Sequence, residues 1–195
     1  MIARGKLFVF EGPDGVGKTT IAKNLTRSLQ ASGVPCEYLA FPGAKAGTLG
    51  MHVYRLHHRP ETFEVSRLNP SSLQVLHVAA HIEAIEGEIF PLMRAGTAVV
   101  LDRYWWSTFV YGRVSGVPLG GLEAMVHLEL SYWSDTRPTV AFLLRREVHA
   151  SAGGQLLTAG YEELASQEEK KYRVESISND GAPEQTLNRV LALCG

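Results

Sequence analysis

The feature that most constrains the fold is a glycine-rich segment near the N-terminus, between an apolar run and a helical pattern. Residues 12–19 (GPDGVGKT) match G-x-x-x-x-G-K-[ST] at every fixed position. The apolar run Lys6–Glu11 precedes them and is typical of a buried parallel strand, and Lys18–Leu29 carries apolar residues at helical spacing. This order predicts a P-loop, whose glycines turn backbone N–H groups toward phosphate oxygens at the positive end of a helix.

The rest of the chain alternates strand and helix patterns. Further strands are predicted over Pro35–Phe41, Thr97–Leu101, Thr139–Leu144 and Val174–Ser178. The intervening patterns predict helices over Gly47–His57, Leu73–Met93 (capped by Ser71 or Ser72), Trp105–Val114, Leu122–Trp133, Tyr161–Arg173 and Pro183–Leu193, and loops over Arg59–Pro70 and His149–Gly160. We therefore expect an α/β fold of the P-loop NTPase type: a three-layer sandwich with a five-stranded parallel sheet and helices on both faces. Residues 1–195 would form a single domain.

Composition narrows the function classes. A chain of 195 residues with a formal net charge of −1 lacks the basic balance of most nucleic-acid binders, so nucleic acid is an unlikely partner. No stretch approaches the roughly 20 apolar residues that a membrane span needs. The two cysteines, Cys36 and Cys194, are too few for a disulfide framework. These features favour a cytoplasmic protein without a membrane anchor.

The P-loop and the third strand predict a triphosphate site with magnesium. The phosphate-binding residues are Gly12, Pro13, Asp14, Gly15, Val16, Gly17, Lys18, Thr19 and Thr20. Lys18 would neutralise the β- and γ-phosphates, and the Thr19 hydroxyl would bind Mg²⁺. Asp102 follows four apolar residues at the end of strand three, where a carboxylate can hold the same ion. Arg103 could stabilise charge on a transferring phosphoryl group.

Four segments together resemble the thymidylate kinase family, and the likeness covers most of the chain. Phe10–Thr20 (FEGPDGVGKTT) is similar to that family's P-loop, and Phe41–Gly50, which contains Phe-Pro and Gly-Thr-Leu-Gly, is similar to the segment that helps to hold the acceptor nucleotide. Asp102–Tyr111 resembles the family's Asp-Arg-Tyr block, and Ile177–Val190 its last strand and helix, near which adenine is held.

The resemblance implies a nucleoside monophosphate kinase that uses ATP and Mg²⁺ and a small nucleotide acceptor such as dTMP. Kinases of this type are often homodimers, and a homodimer is expected here. Asp14, Lys18 and Arg103 match the family's catalytic positions. The acceptor-binding candidates are Phe41, Pro42, Lys45, Arg55, His81, Arg103, Tyr104, Ser107 and Tyr111.

This chain departs from the family pattern around the acceptor and in the lid. His81 takes the place of an arginine that grips the acceptor phosphate, and Lys45 is the nearest substitute for an arginine that is missing after the Phe-Pro pair. The predicted lid-like loop lies at about residues 145–160. Residues 147–160 contain no arginine or lysine, which leaves Arg145 and Arg146 as the lid candidates.

Two other functions stay open at the level of the sequence. The same donor site could serve a kinase of nucleosides or of other small hydroxyl compounds. The reduced lid would also suit a non-catalytic NTP-binding switch. The sequence does not identify the acceptor.

Overall fold

The sheet of this protein contains five parallel strands, as the sequence predicted. The computed structural model describes residues 5–43, 45–147 and 152–194. The strands are β1 (Leu7–Glu11), β2 (Cys36–Ala40), β3 (Ala98–Asp102), β4 (Val140–Arg145) and β5 (Val174–Ser178), in the spatial order β2-β3-β1-β4-β5. Because β1 and β3 are adjacent and parallel, with Phe10 opposite Asp102, the P-loop and Asp102 emerge side by side at one edge.

Helices cover both faces of the sheet. They are α1 (Lys18–Ala31), α2 (Leu49–His58), α3 (Pro70–Ala84), α4 (Phe90–Arg94), α5 (Trp105–Val114), α6 (Leu119–Trp133), α7 (Ala152–Glu168) and α8 (Pro183–Leu193). Phe8 and Phe10 pack with residues of α1 and α8, whereas Leu7 and Val9 pack with residues of α5, α6 and α7. The central strands β1, β3 and β4 are almost wholly buried, because helices cover both of their sides.

Three helices, α3, α6 and α7, begin earlier than the sequence pattern indicated. Asn69, rather than Ser71 or Ser72, caps α3: its side chain accepts the Ser71 N–H at 2.8 Å, and Pro70 occupies the first turn. The predicted helix Leu73–Met93 is continued beyond α3 by a π-helical segment, Ile85–Ile89, and then by α4.

The predicted loop His149–Gly160 is wrong from residue 152 onward, where α7 begins; residues 148–151 lie outside the described part of the chain. Glycines weaken the local helix preference of this segment, but packing of α7 against α5 overrides it. A Cβ on Gly160 would lie 3.0 Å from Val110, so the glycine permits this close approach. The helix predicted over Tyr161–Arg173 is also placed too far along the chain, since α7 ends at Glu168.

A short 3₁₀ helix, Pro60–Phe63, also interrupts the predicted loop Arg59–Pro70. Within residues 5–43, 45–147 and 152–194, none of the helices has the length and apolar character that crossing a bilayer requires.

Candidate active site

The P-loop lines the cleft and leads directly into the first turn of α1. Gly17 has φ of 91°, a left-handed conformation that favours glycine, and it immediately precedes the first residue of α1. The first turn of α1 contains no acidic residue. The Lys18 ammonium folds back to donate hydrogen bonds to the carbonyls of Gly12 and Pro13, at 2.8 and 2.7 Å. The loop is thus closed around its own lysine at the positive end of a helix, which is suited to an anion.

Asn179, which follows β5, supports the P-loop from behind. Its Nδ2 donates to the Val16 carbonyl at 2.8 Å, and its Oδ1 accepts the Thr186 hydroxyl at 2.7 Å. A Cβ on Gly17 would lie only 2.4 Å from this amide nitrogen. Asn179 was not singled out from the sequence, because nothing in the local pattern shows that β5 ends beside the P-loop.

Asp102 and Thr19 lie together, as predicted for a magnesium site. The Thr19 and Tyr38 hydroxyls both donate to Asp102 Oδ2, the latter at 3.1 Å. Asp102 is 5% exposed, and its buried Oδ1 has no hydrogen-bond partner among the described residues. A buried carboxylate oxygen without a donor is a natural ligand for a hard cation.

Burial makes the charge of Lys18 sensitive to pH. Desolvation, together with the neighbouring Arg103 cation, lowers the pKa of Lys18 to about 8, although Asp102, Glu11 and Asp14 oppose this shift. The ammonium is 5% exposed in a site that holds a second cation close by. Phosphate oxygens bound here would add negative charge beside Lys18 and Arg103.

Arg103 joins the P-loop to α5. Its guanidinium pairs with the Asp14 carboxylate and donates from Nη1 to the Ser107 hydroxyl at 3.0 Å. Tyr111 completes this group: its hydroxyl donates to Asp14 at 2.8 Å, and its ring lies 5.4 Å from the Arg103 guanidinium. Burial raises the pKa of Asp14, but Arg103, the Tyr111 hydrogen bond and Lys18 outweigh it, so the pKa falls below its ordinary value. Asp14 is therefore held as an anion.

Glu11, the last residue of β1, holds the start of α5. Its side chain is fully buried, and Oε1 accepts the backbone N–H groups of Tyr104 and Ser107 at 2.7 and 3.1 Å. Oε2 accepts the Ser107 hydroxyl at 2.7 Å. Sequence analysis assigned Glu11 no role, because a helix cap contributed by a distant strand leaves no local pattern.

Two cavities meet at Arg103. The first is a cleft of about 810 Å³ that is lined by the P-loop residues Asp14, Gly15, Gly17, Lys18, Thr19 and Thr20 and extends along β2 and the start of α2. The second, of about 440 Å³, lies between α2, α3 and α5. The residues lining both are Asp14, Thr19, Phe41, Pro42, Tyr54 and Arg103.

The second cavity contains polar atoms that no described residue satisfies. Thr108 lines this cavity and is 2% exposed, and its buried hydroxyl has no hydrogen-bond partner in the described structure. His77 Nε2 is likewise buried and unpaired. Burial, aided by His81, His57 and Arg103, lowers the pKa of His77 to about 3, which keeps the ring neutral at any working pH. The buried Gln74 also lines this cavity. Such unsatisfied groups are costly unless a ligand pairs with them.

His81 lines the second cavity. Its Nδ1 lies 2.9 Å from the fully buried Glu129 carboxylate, and its ring stacks on Phe41 with centroids 4.0 Å apart. The side chain is only 2% exposed. The contact of His81 with the acceptor phosphate stays a prediction, and its hydrogen bond to a carboxylate of α6 is a contact that the sequence of α3 cannot reveal.

Several other acceptor candidates lie elsewhere. Tyr104 is fully buried, 5.1 Å from Trp133 between ring centroids, and falls outside the described lining of either cavity. Its predicted acceptor contact is corrected because the side chain points into the core. Arg55 is exposed on α2, also outside the described lining. Lys45 lines the first cavity and pairs with Glu88 at 2.9 Å.

The remaining acceptor candidates line one cavity. Phe41, Pro42, Ser107 and Tyr111 line the second cavity together with Arg103. Of the lid candidates, Arg145 pairs with Glu162 of α7 at 3.1 Å, and Arg146 is exposed. The structure thus gathers the catalytic and phosphate-binding candidates, but only part of the acceptor set.

Known proteins are similar to this chain in both sequence and fold. A family model described as "Thymidylate kinase" matches residues 10–179. The chain is 33% identical to thymidylate kinase from Xanthomonas oryzae pv. oryzae (strain PXO99A) over 140 residues, which cover 72% of this chain and 56% of that protein. It therefore spans a little over half the length of this relative. Thymidylate kinase from Synechococcus sp. (strain JA-3-3Ab) is 28% identical over 193 residues, or 92% of this chain and 90% of the relative.

A solved structure supports the same fold. The crystal structure of thymidylate kinase from Ehrlichia chaffeensis superposes with a TM-score of 0.78 at 19% identity, covering 98% of this chain and all of that one. At this identity the superposition shows the architecture, and the family model, which covers most of the chain, shows the lineage. The chain belongs to the thymidylate kinase family.

Proposed function

We propose that this protein is an ATP-dependent nucleoside monophosphate kinase that phosphorylates dTMP or a related nucleotide. In this reaction the bond between the γ-phosphorus of ATP and the β,γ-bridging oxygen breaks, and that oxygen leaves as part of ADP. A new bond forms between the γ-phosphorus and an oxygen of the acceptor phosphate. The observation that carries the proposal is the position of Arg103 where a P-loop cleft meets a second, polar cavity. A phosphoryl group passing from one cavity to the other would be close to its guanidinium.

The P-loop cleft suits ATP. Lys18 and the first N–H groups of α1 would bind the β- and γ-phosphates, and burial favours the pairing of that cation with phosphate oxygens. Asp102 Oδ1 and the Thr19 hydroxyl fit Mg²⁺, because one is an unpaired buried carboxylate oxygen and the other lies hydrogen-bonded beside it. When bound, Mg²⁺ would neutralise charge on the phosphates.

The second cavity suits the acceptor. Its volume of about 440 Å³ falls in the range of small-molecule sites, and Phe41 contributes an aromatic ring to the wall. Thr108 and His77 bring uncharged hydrogen-bonding groups that could pair with the edge of a base. Near the junction Arg103 can meet the acceptor phosphate, while Asp14, kept anionic, orients that arginine.

A second candidate function is a nucleoside kinase with the same donor site. The observation in its favour is that His81 is hydrogen-bonded to Glu129 and Lys45 pairs with Glu88, so two side chains expected to contact the acceptor phosphate already face carboxylates. A nucleoside acceptor, which lacks the phosphate, would not need them. The lid roles of Arg145 and Arg146, a homodimer and a cytoplasmic location stay predictions beside either candidate.

Steady-state assays can separate these functions. ADP formation from saturating MgATP is measured with each deoxynucleoside, each ribonucleoside and their monophosphates, with Lys18→Ala as the inactive control. Turnover that depends on dTMP or another monophosphate supports the proposal, whereas turnover with nucleosides alone favours the second candidate. ATP binding without stimulation by any acceptor would overturn both and favour an NTP-binding switch.

A further inference from the structure

The chemistry proposed above leaves unexplained a buried network that connects β1, α5 and α7. It contains the fully buried Glu11 and Tyr161 and the nearly buried Ser107, and it ends on the Arg103 guanidinium. Buried carboxylates are costly unless hydrogen bonds satisfy them. Glu11 accepts three such bonds and makes no contact with either proposed substrate cavity.

The directions of these hydrogen bonds follow from the number of protons that each group can donate. Ser107 has a single hydroxyl proton, which it donates to Glu11 Oε2 at 2.7 Å. Its oxygen is then free to accept from two donors: Arg103 Nη1 at 3.0 Å and the Tyr161 hydroxyl, whose oxygen lies 2.9 Å away. The ionised Glu11 carboxylate thereby orients the Ser107 hydroxyl so that its lone pairs face Arg103 and Tyr161.

The backbone of Arg103 also depends on Glu11. Arg103 has φ of 76°, a left-handed conformation that is uncommon outside glycine and persists only where the surroundings fix it. On one side its N–H bonds to the Phe10 carbonyl at 2.9 Å. On the other, Glu11 accepts the next N–H, that of Tyr104. Two consecutive residues of β1 thus hold the peptide groups on either side of this strained position.

We propose that Glu11 is a positioning residue: it fixes the Arg103 guanidinium at the junction of the two cavities through the Tyr104 amide and the Ser107 hydroxyl. The inference rests on the proposed function, since it concerns the arginine of that reaction. Tyr161 joins α7 to the same hydroxyl, so the helix that begins within the predicted lid segment shares this support.

Protonation of Glu11 would change the network. Burial raises the pKa of Glu11 to about 7, although Arg103, the hydrogen bonds from Ser107 and Tyr104, and Lys18 lower it. The titratable or charged groups that face it from the packed elements are Arg103, Lys18, Tyr104 and Tyr161. A proton on Oε2 would be donated to the Ser107 oxygen and would occupy one of its lone pairs, so the Ser107 proton must turn toward the Tyr161 oxygen, because a guanidinium has no acceptor. The ordering of Arg103 is therefore complete above about pH 7 and weakens below it.

Glu11→Gln tests this role. Glutamine keeps the shape of the side chain, but its amide N–H₂ group takes the place of a carboxylate oxygen that accepts hydrogen bonds. We expect kcat to fall about 10- to 100-fold at pH 8, as for loss of one preorganised electrostatic contact, with the KM for ATP within about twofold. In the wild type, kcat should rise with pH around pH 7, and in Glu11→Gln this rise should be absent. The matched control is Glu168→Gln, a 5% exposed carboxylate that pairs with Lys171 and does not contact Arg103.

Ser107→Ala removes the side-chain link and leaves the Glu11 bond to the Tyr104 amide in place. It should also lower kcat about 10-fold, and it keeps the test valid if Glu11→Gln fails to fold. Full activity of Ser107→Ala, or a Glu11→Gln enzyme within twofold of wild type with an unchanged pH profile, would overturn the inference.

A second readout needs no turnover. The ¹⁵N signals of the Arg103 side chain should shift between pH 6 and 8 in the wild-type protein and stay constant in Glu11→Gln. Absence of that shift in the wild type refutes the positioning role. Failure of every acceptor to stimulate ADP formation, with the shift present, refutes the proposed function alone.

Discussion

Replacing Thr108 by valine should stabilise the free protein and weaken its acceptor binding at the same time. The Thr108 side chain is 2% exposed, its hydroxyl has no hydrogen-bond partner in the described structure, and it lines the second cavity. Valine has nearly the same shape and replaces the unsatisfied hydroxyl with a methyl group. Burying an unpaired hydroxyl costs about 1–3 kcal/mol, so removing it should stabilise the free protein by about 1 kcal/mol.

The two effects can be measured separately. For a chain of this length, 1 kcal/mol corresponds to a rise in Tm of about 2–4 °C, which differential scanning calorimetry resolves. A hydrogen bond to the acceptor contributes about 0.5–1.5 kcal/mol, so its loss should raise the acceptor KM or Kd about 2- to 13-fold. The KM for ATP should not change, because Thr108 lies outside the described lining of the P-loop cleft.

Thr26→Val is the matched control. Thr26 is 5% exposed on α1, and its hydroxyl donates to the Ala22 carbonyl at 3.0 Å. Its loss should leave Tm equal or lower and both KM values unchanged. For Thr108→Val, a lower Tm would show that the hydroxyl is already satisfied in the free protein. A raised Tm with an unchanged acceptor KM would show that the acceptor does not use it. Either result refutes the reasoning.

Three further predictions concern the donor side and the reacting groups. Because burial and Arg103 lower the pKa of Lys18 to about 8, its charge is present below that pH and lost above it; the Kd for ATP, measured by calorimetry, should rise between pH 7 and 9 in wild type but stay flat in Lys18→Met. Arg103→Ala should lower kcat at least about 100-fold with little change in the Kd for ATP, and a change in Kd alone would show that Arg103 is a donor-site contact. Asp102→Asn should raise the Mg²⁺ concentration needed for half-maximal rate several-fold at fixed ATP, and an unchanged requirement would remove Asp102 from the metal site.

The P-loop and the position of Asp102 beside it could be predicted from the sequence. The P-loop spacing, the apolar strands on either side of β1 and the position of Asp102 at a strand end are local patterns, and parallel pairing then brings Asp102 beside the P-loop. The sheet and most helices followed from the same periodicities. The beginning of α7 did not, because its glycine-containing first turns depend on packing against α5 rather than on helix preference.

The second cavity could not be predicted from the sequence, because its side chains come from α2, α3 and α5 and contact residues far away in sequence. His81 could be placed by its spacing from Asp102, but its hydrogen-bond partner Glu129 lies on α6. In the same way Glu11 and Asn179 act on segments remote from their own. A local pattern reports which residues can bind, whereas burial and long-range pairing decide which of them are still free to do so.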